Sequence, residues 1–551
     1  MPKPNGIAGP RSVAWVGWSL LGVGLLALAW LLPVNVKSLN PALLREAGRG
    51  TRSVSSFGRD LLEVDRPGPA ALALEAARAI GDEGAERLEM EYNDFIEHHR
   101  DMAPWGGWDV ALEPLLIGRN AASPAASLPV LKFMVTQQAR DTLRLYLAVS
   151  RLPGVQALLK TGDLTTTKRF VPAHRPGGQP LDAVILLTSY LWQTEHLSPS
   201  LQREVRVLAE NAVLTGQIGP LEDFYLDILT LGKRLNWVQL SELLRTTTST
   251  ATVAQFAHLT RVAPEHLAVI YTAALMTRSA DGVARYLIAY GKPGAENLRL
   301  ALSFGQGAVE QLVQRQVPIT SGHGLEFEIG APFALRHPEL AVIAKYAAFL
   351  GGIFLLLRSV DLRMFAAIES ALPAAFPRMG SGLMAAILTF IFLVFSEPFL
   401  LKAAASADYQ IRLVIPVLGQ AVAGPAPKPS TTAPTMELST VLSILTFACL
   451  QIAMYVICLV KISDVARQPL APSVKLKLMD NEENLFDGGL YIGIAGTATA
   501  LVLQVMGIIE ANLLAAYSSN LFGIVCVALV KIRHVRPYKR KLILEALPVA
   551  V

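Results

Sequence analysis

Cysteine is scarce in this chain. Three occur in 551 residues, Cys449, Cys458 and Cys526, and all three lie inside apolar runs. Nothing before Cys449 can form a disulfide, and the spacing of the three excludes a cysteine-based metal site. Charge is thin as well. Asp, Glu, Lys and Arg make up 17% of the chain and hydrophobic residues 52%, whereas soluble domains are about a quarter charged. Several catalytic signatures are missing: a phosphate-cradling glycine loop ending in Lys-Ser/Thr, a Gly-x-Ser-x-Gly elbow, a dinucleotide fingerprint after a strand and a His-x-x-x-His zinc pair. The sequence therefore offers no catalytic, cofactor-binding or metal residues, and it does not read as an enzyme. Nor does the net charge of +5 suggest a nucleic-acid partner. Much of it sits in "KIRHVRPYKRKL", directly after the last apolar run.

Six apolar runs approach the ~20 residues needed to cross ~30 Å of hydrocarbon. They cover residues 12–33, 339–358, 382–402, 438–460, 489–509 and 512–531. Lys and Arg in short loops mark the cytoplasmic side. Lys3 and Arg11 precede the first run, and Arg358, Arg363 and Arg378 lie between the second and third. Lys461, Arg467, Lys475 and Lys477 lie between the fourth and fifth, and the basic cluster follows the sixth. All four segments share a side if six crossings are counted, with Lys428 a minor exception.

The expected architecture is all-α, a six-helix polytopic protein of the cell (inner) membrane with both termini cytoplasmic. Residues 1–11 are a cytoplasmic N-terminus, 34–338 a large extracytoplasmic helical domain, 403–437 an outer Pro/Ser/Thr-rich loop, 461–488 a cytoplasmic loop and 532–551 a basic cytoplasmic tail. The first run is either an uncleaved anchor or a signal peptide. "ALA" at Ala27–Ala29 fits a cleavage site, but the apolar run continues through Trp30, Leu31 and Leu32.

The exported domain reads as short helices punctuated by Gly and Pro. "PAALALEAARAI" has Pro69 near its start and Gly81 just past its end. "VARYLIAY" is closed by "GKPG", and "AENLRLALS" by "FGQG". Such helices must stack on neighbours to bury a face, so a solenoid-like array follows. "LEFEIG" at 325–330 alternates as one short strand would, while "RFVPAHRPGGQP" and the Thr-rich 244–252 stretch read as connections.

The sharpest polar cluster is "DFIEHHRDMAPWGGWD", residues 94–109. On a helix Asp94 and His98 lie one turn apart, as do Glu97 and Asp101. This reads as a solvated helix end with local ion pairs, with a divalent-metal site as the sharper alternative. Trp105 and Trp108 read as packing anchors, and His174, His196, His258, His266, His323 and His337 are scattered singly.

Polar groups inside the apolar runs are costly, and each is a functional candidate. Lys345 and Glu397 lie at similar depths in the second and third runs, where they either pair or snorkel separately. In the fifth run Gly493, Thr497, Ala500, Gln504 and Gly507 form a stripe at 4, 3, 4, 3 spacing. Asn512, Ala516, Ser519, Gly523 and Cys526 form another in the sixth, with Ser518 alongside. Small residues let helices approach closely and hydroxyls bond across the contact. The same stripes could instead line a path for an ion.

"GIAGTATAL" and "LLAAYSSNLFGIVCVAL" resemble the paired spans of the MotA/TolQ/ExbB proton-channel family. The resemblance covers residues 493–532. It implies that Thr497 is the channel hydroxyl of the first helix, with Ser518 or Ser519 opposite. It also implies a homo-oligomer surrounding partner helices that carry the proton on an Asp. The residues themselves favour another function: a multi-pass protein in the lipid bilayer that presents a helical domain for protein contacts, as scaffold or sensor in an envelope complex. The ion-conducting subunit is the alternative, and a small-solute transporter is a third.

Overall fold

The computed structural model describes residues 11–116, 128–165, 169–320, 329–365, 382, 385–386, 388–390, 392–393, 397, 409, 438–505 and 513–546. It is 78% helical with no strands among these residues. Two compact units emerge. One comprises Met1–Pro373 with Ala404–Val414, the other Ala374–Ala403 with Ile415–Val551.

The first unit opens with α1 Arg11–Leu31, α2 Pro41–Gly48, α3 Val54–Glu63, α4 Pro67–Ile80 and α5 Ala85–His98. It continues through α6 Glu113–Leu116, α7 Val130–Met134, α8 Gln137–Ala148, α9 Pro153–Lys160 and α10 Gln179–Gln193. Then come α11 Pro199–Thr215, α12 Pro220–Gly232, α13 Trp237–Arg245, α14 Thr250–Val262 and α15 Leu267–Thr277. It closes with α16 Ala280–Phe304, α17 Gln306–Arg315, α18 Ala331–Arg336 and α19 Pro338–Phe365.

Local chemistry sets these boundaries. Asn40, Ser53, Ser198 and Ser249 each accept a backbone N–H of the helix they open, which satisfies donors the first turn leaves orphaned. Asn236 and Gln239 do so reciprocally at α13. Gly81 ends α4 in the left-handed conformation, as its place after Ile80 suggests. At Gly291 the chain leaves helical geometry (φ 57°, ψ −139°), so "GKPG" breaks α16 internally.

The packing departs from an open solenoid. Neighbours such as α8–α10 and α15–α17 stack in series, but α4 also packs on α13, α15 and α16, and α2 on α16 and α17. Early and late helices thus share one core, and the array closes on itself. Its large buried residues include Tyr190, Tyr225, Trp237, Tyr271 and Tyr286. The closure is latched where the chain enters and leaves: Leu39 N–H donates to Pro318 O at 2.8 Å, and Thr320 N–H to Leu39 O at 2.9 Å. Of "LEFEIG", residues 325–328 lie outside the described residues, and Ile329 and Gly330 form a turn.

Below that latch α1 and α19 pair along their length. Gly22 and Gly352 meet so closely that a Cβ on either would stand 2.9–3.0 Å from the other's carbonyl oxygen. Ser19 and Ser359 hydroxyls are 2.5 Å apart. Among the described residues one helix, Pro338–Val360, is long and apolar enough to cross a membrane, and Trp15–Leu31 is a shorter apolar helix.

The second unit contains α20 Leu438–Arg467, α21 Pro472–Asn481, α22 Glu483–Phe486, α23 Gly488–Val505, α24 Leu513–Ala528, a π-helical stretch Leu529–Val535 and α25 Arg536–Ala546. Residues 461–488, the connection between the fourth and fifth apolar runs, are mostly helical. Met479 and Phe486 bury against the side of the unit that also holds Val535 and Leu542, and that packing orders the segment. The Pro/Ser/Thr-rich stretch at 424–435 lies outside the described residues.

Candidate functional site

The second unit brings the two small-residue stripes together. Gly493 on α23 faces Ser519 O, Asn520 Cα and Gly523 Cα of α24, at 3.0, 3.2 and 3.5 Å from where its Cβ would stand. A Cβ on Gly523 would lie 2.6 Å from Gly489 O. Glycine at these crossings is what allows backbone to approach backbone. The Ser519 hydroxyl, fully buried, donates to Gly493 O at 3.3 Å, and the Thr497 hydroxyl donates to the same carbonyl at 3.0 Å. Gly507 and Asn512 lie outside the described residues, and the side chains of Ala500, Gln504, Ala516 and Ser518 are likewise not described.

A third helix completes this site. Gln451 of α20 is 5% exposed, and its amide donates to Gly489 O at 3.0 Å. The Cys526 thiol faces Gln451 O at 3.6 Å. Gln451 Oε1 and Asn520 Oδ1 are buried acceptors without a hydrogen-bond partner among the described residues. Sequence reasoning missed Gln451. Its signal was there: Phe447, Gln451, Met454 and Cys458 recur at helical spacing, and Gln is the one strongly polar member of that face.

Lys345 belongs to the first unit and Glu397 to the second. Lys345 is 9% exposed on α19, and its ammonium donates to Val34 O at 2.5 Å with Asn35 Oδ1 at 3.3 Å. Asn35 donates onward to Ser38 and Thr320 hydroxyls, at 3.0 and 2.9 Å. The lysine therefore ties a long apolar helix to the neck where the helical module opens and closes. Glu397 is buried, and its backbone N–H donates to Leu393 O.

The 94–109 stretch is divided. Helix α5 stops at His98, so Asp101 falls in the following turn and does not share a helical face with Glu97. His98 is fully exposed, with Nδ1 against Asp94 O at 2.8 Å; that contact, then the Asp94 carboxylate, raises its pKa. Trp105 is buried edge-on against Phe133, whereas Trp108 is 47% exposed. Among the described residues no three His, Cys, Asp or Glu side chains are arranged to hold a metal ion.

Asp109, at the end of that stretch, joins a different cluster. Its Oδ2 accepts from His196 Nε2 at 2.5 Å and from Trp237 Nε1 at 3.0 Å, while Oδ1 caps a short turn at Ala111 N, 2.9 Å away. Burial pushes this carboxyl upward, but the bonds from His196, Trp237 and Ala111 outweigh it and hold the pKa at about 2. His196 Nδ1 faces Thr194 O at 2.7 Å, and Tyr190 OH donates to Ala111 O. Every polar atom here has a protein partner, so the cluster is a latch between the 109–112 turn, α10 and α13. A second buried group, Asp182, takes Arg140 at 2.9 Å and Arg144 at 2.7 Å, which pins α8 to α10.

The remaining feature comes from far along the chain. Tyr409 is 1% exposed and belongs to the core of the first unit, where its backbone hydrogen-bonds the His258 ring. Comparison with known proteins finds no matching family model, curated relative or solved structure.

Proposed function

We propose that this chain is a six-span membrane protein holding residues 34–338 outside the cytoplasm, as a helical platform for protein contacts in an envelope complex. The observation that carries this reading is Tyr409. It lies in the 403–437 segment, two apolar runs beyond the platform, yet it is a core residue of the platform's unit. A described residue of that segment, assigned to the platform's side from Lys and Arg placement, thus sits in the core of the platform's unit, which supports an even number of crossings between them. The α1–α19 pairing through Gly22, Gly352, Ser19 and Ser359 supports retention of the first span as an anchor.

For contacts, the platform exposes apolar side chains at its α8 end. Leu145 is 76%, Val149 79% and Val110 71% exposed, beside Tyr146. A photo-crosslinking residue at Leu145 or Val149 in the full-length protein in cells should yield an adduct with another protein. If Leu145, Val149 and Val110 all give none, the scaffold reading fails.

The second reading is an ion-conducting subunit akin to the MotA/TolQ/ExbB family. Gln451 Oε1 and Asn520 Oδ1, without a partner among the described residues and beside the Gly493–Ser519 crossing, favour it, because a wet path needs acceptors. Thr497→Val should abolish ion-driven activity under that reading and be tolerated under the first. A pentamer by mass in mild detergent would favour conduction. Small-solute transport is a weaker third.

A further inference from the structure

We propose that α25 carries a docking face for the headgroups of anionic phospholipids. Arg536, Arg540 and Leu544 follow one another at four-residue spacing, so they form a single stripe. With Pro537, Lys541 and Glu545 they line an open surface groove. Ile543 is 48% and Leu544 63% exposed, so cations and aliphatic side chains share the solvent side. The opposite side is spoken for: Leu542 is 2% exposed in the core with Met479 and Phe486, and Lys539 pairs with Asp480 at 2.5 Å.

The cations divide by their partners. Lys461 is matched by Glu482 at 3.0 Å, and Lys531 by Asp487 at 2.7 Å. Lys541 has only a long contact, 3.8 Å, to Glu545 within its own helix. Arg536 and Arg540 have no acidic partner among the described residues. This helix therefore pairs its inward Lys539 and leaves Arg536 and Arg540 without an acidic partner among the described residues, with Lys541 only weakly matched by Glu545.

The occupant follows from charge and position. Arg536 lies five residues past the end of the sixth apolar run, at most ~8 Å even at the α-helical rise, which is headgroup depth. Arg540 and Lys541 stay within about a Debye length of that layer. A basic helix face that also exposes Ile and Leu suits an interface where phosphodiesters meet acyl chains. An acidic protein segment would use the three cations but gain less from Ile543 and Leu544.

This inference rests on the cytoplasmic placement of residues 532–551. The test is native mass spectrometry of the full-length protein in neutral detergent, with short-chain phosphatidylglycerol, short-chain phosphatidylcholine and inorganic phosphate as probes. Phosphatidylglycerol should be retained and phosphatidylcholine should not. The Arg536→Gln/Arg540→Gln/Lys541→Gln protein should lose at least about tenfold in retention, Ile543→Ser/Leu544→Ser several-fold, and Arg203→Gln, at an exposed position of α11 in the first unit, nothing. Arg540→Gln alone, exposed and without an acidic partner among the described residues, carries the test should the triple variant aggregate. Equal retention by wild type and the arginine variants, equal binding of both lipids, or displacement of the lipid by equimolar phosphate would each overturn the proposal. A reporter at Val551 on the outer face, with phosphatidylglycerol still held, would defeat the topology and leave the site standing. A cytoplasmic reporter without lipid retention would defeat the site alone.

Discussion

Replacing Asp109 with Ala is the most informative single change in the first unit. The carboxylate accepts from three donors, His196 Nε2, Trp237 Nε1 and Ala111 N. Trp237 and His196 are 0% and 2% exposed, so water does not easily take the place of Oδ2. Each buried donor left unpaired costs about 1–3 kcal/mol, and the change leaves two of them, on His196 and Trp237. The Ala111 N–H sits in a half-buried turn and adds less. Asp109→Ala should therefore destabilise the unit by about 3–5 kcal/mol. The pH dependence has a fixed sign. The folded pKa of about 2 lies below the ordinary carboxylate value, so the carboxylate's contribution is present above pH ~4 and lost as pH falls toward 2. For this half-buried group the shift is worth about 1–2 kcal/mol after solvent screening. Tryptophan fluorescence is a suitable assay, because Trp105 and Trp237 both lie in this core and all seven tryptophans precede residue 238. Denaturant unfolding of the full-length protein in detergent, at pH 7 and stepwise to pH 3, reads both effects. Asp94→Ala, on the exposed end of α5, is the control and should change stability by less than about 0.5 kcal/mol. An Asp109→Ala shift no larger than that control would refute the latch.

Three further outcomes are expected. Gly523→Val places atoms against Gly489 O and should lower stability by about 1–3 kcal/mol, whereas Gly17→Ala meets open space and should be neutral or slightly stabilising; thermal melts in detergent compare them. Ser19→Cys/Ser359→Cys, in a protein otherwise free of cysteine, should form a disulfide in oxidised membranes, and failure would contradict the α1–α19 pairing. Tyr409→Ala should cost about 3–5 kcal/mol as a buried aromatic truncation and should expose the 403–437 segment to external protease, while an unchanged cleavage rate would argue against its docking.

Much of the helical layout can be read locally. Gly81 and the "GKPG" break act on their own neighbours, so a linear reading finds them. The closing contacts cannot be found that way. Asp109 meets His196 and Trp237 from 87 and 128 residues away, and Tyr409 joins a core whose other described members all precede residue 342. Periodicity carries no information on such pairings. The helices within the 461–488 connection are of the same kind: Met479 and Phe486 find a buried face supplied by Val535 and Leu542, more than 40 residues further on. In the second unit the stripes of Gly493, Ser519 and Gly523 were legible because both follow helical spacing. Gln451, which bonds across them, stands on a helix separated from both by a long connection.

The arrangement of spans is tested most directly by compartment-sensitive reporters at Asp163, in the turn that follows α9, and after Val551. The account predicts that the Asp163 label reports the outer face and the Val551 label the cytoplasm. Both labels on the same face would contradict it.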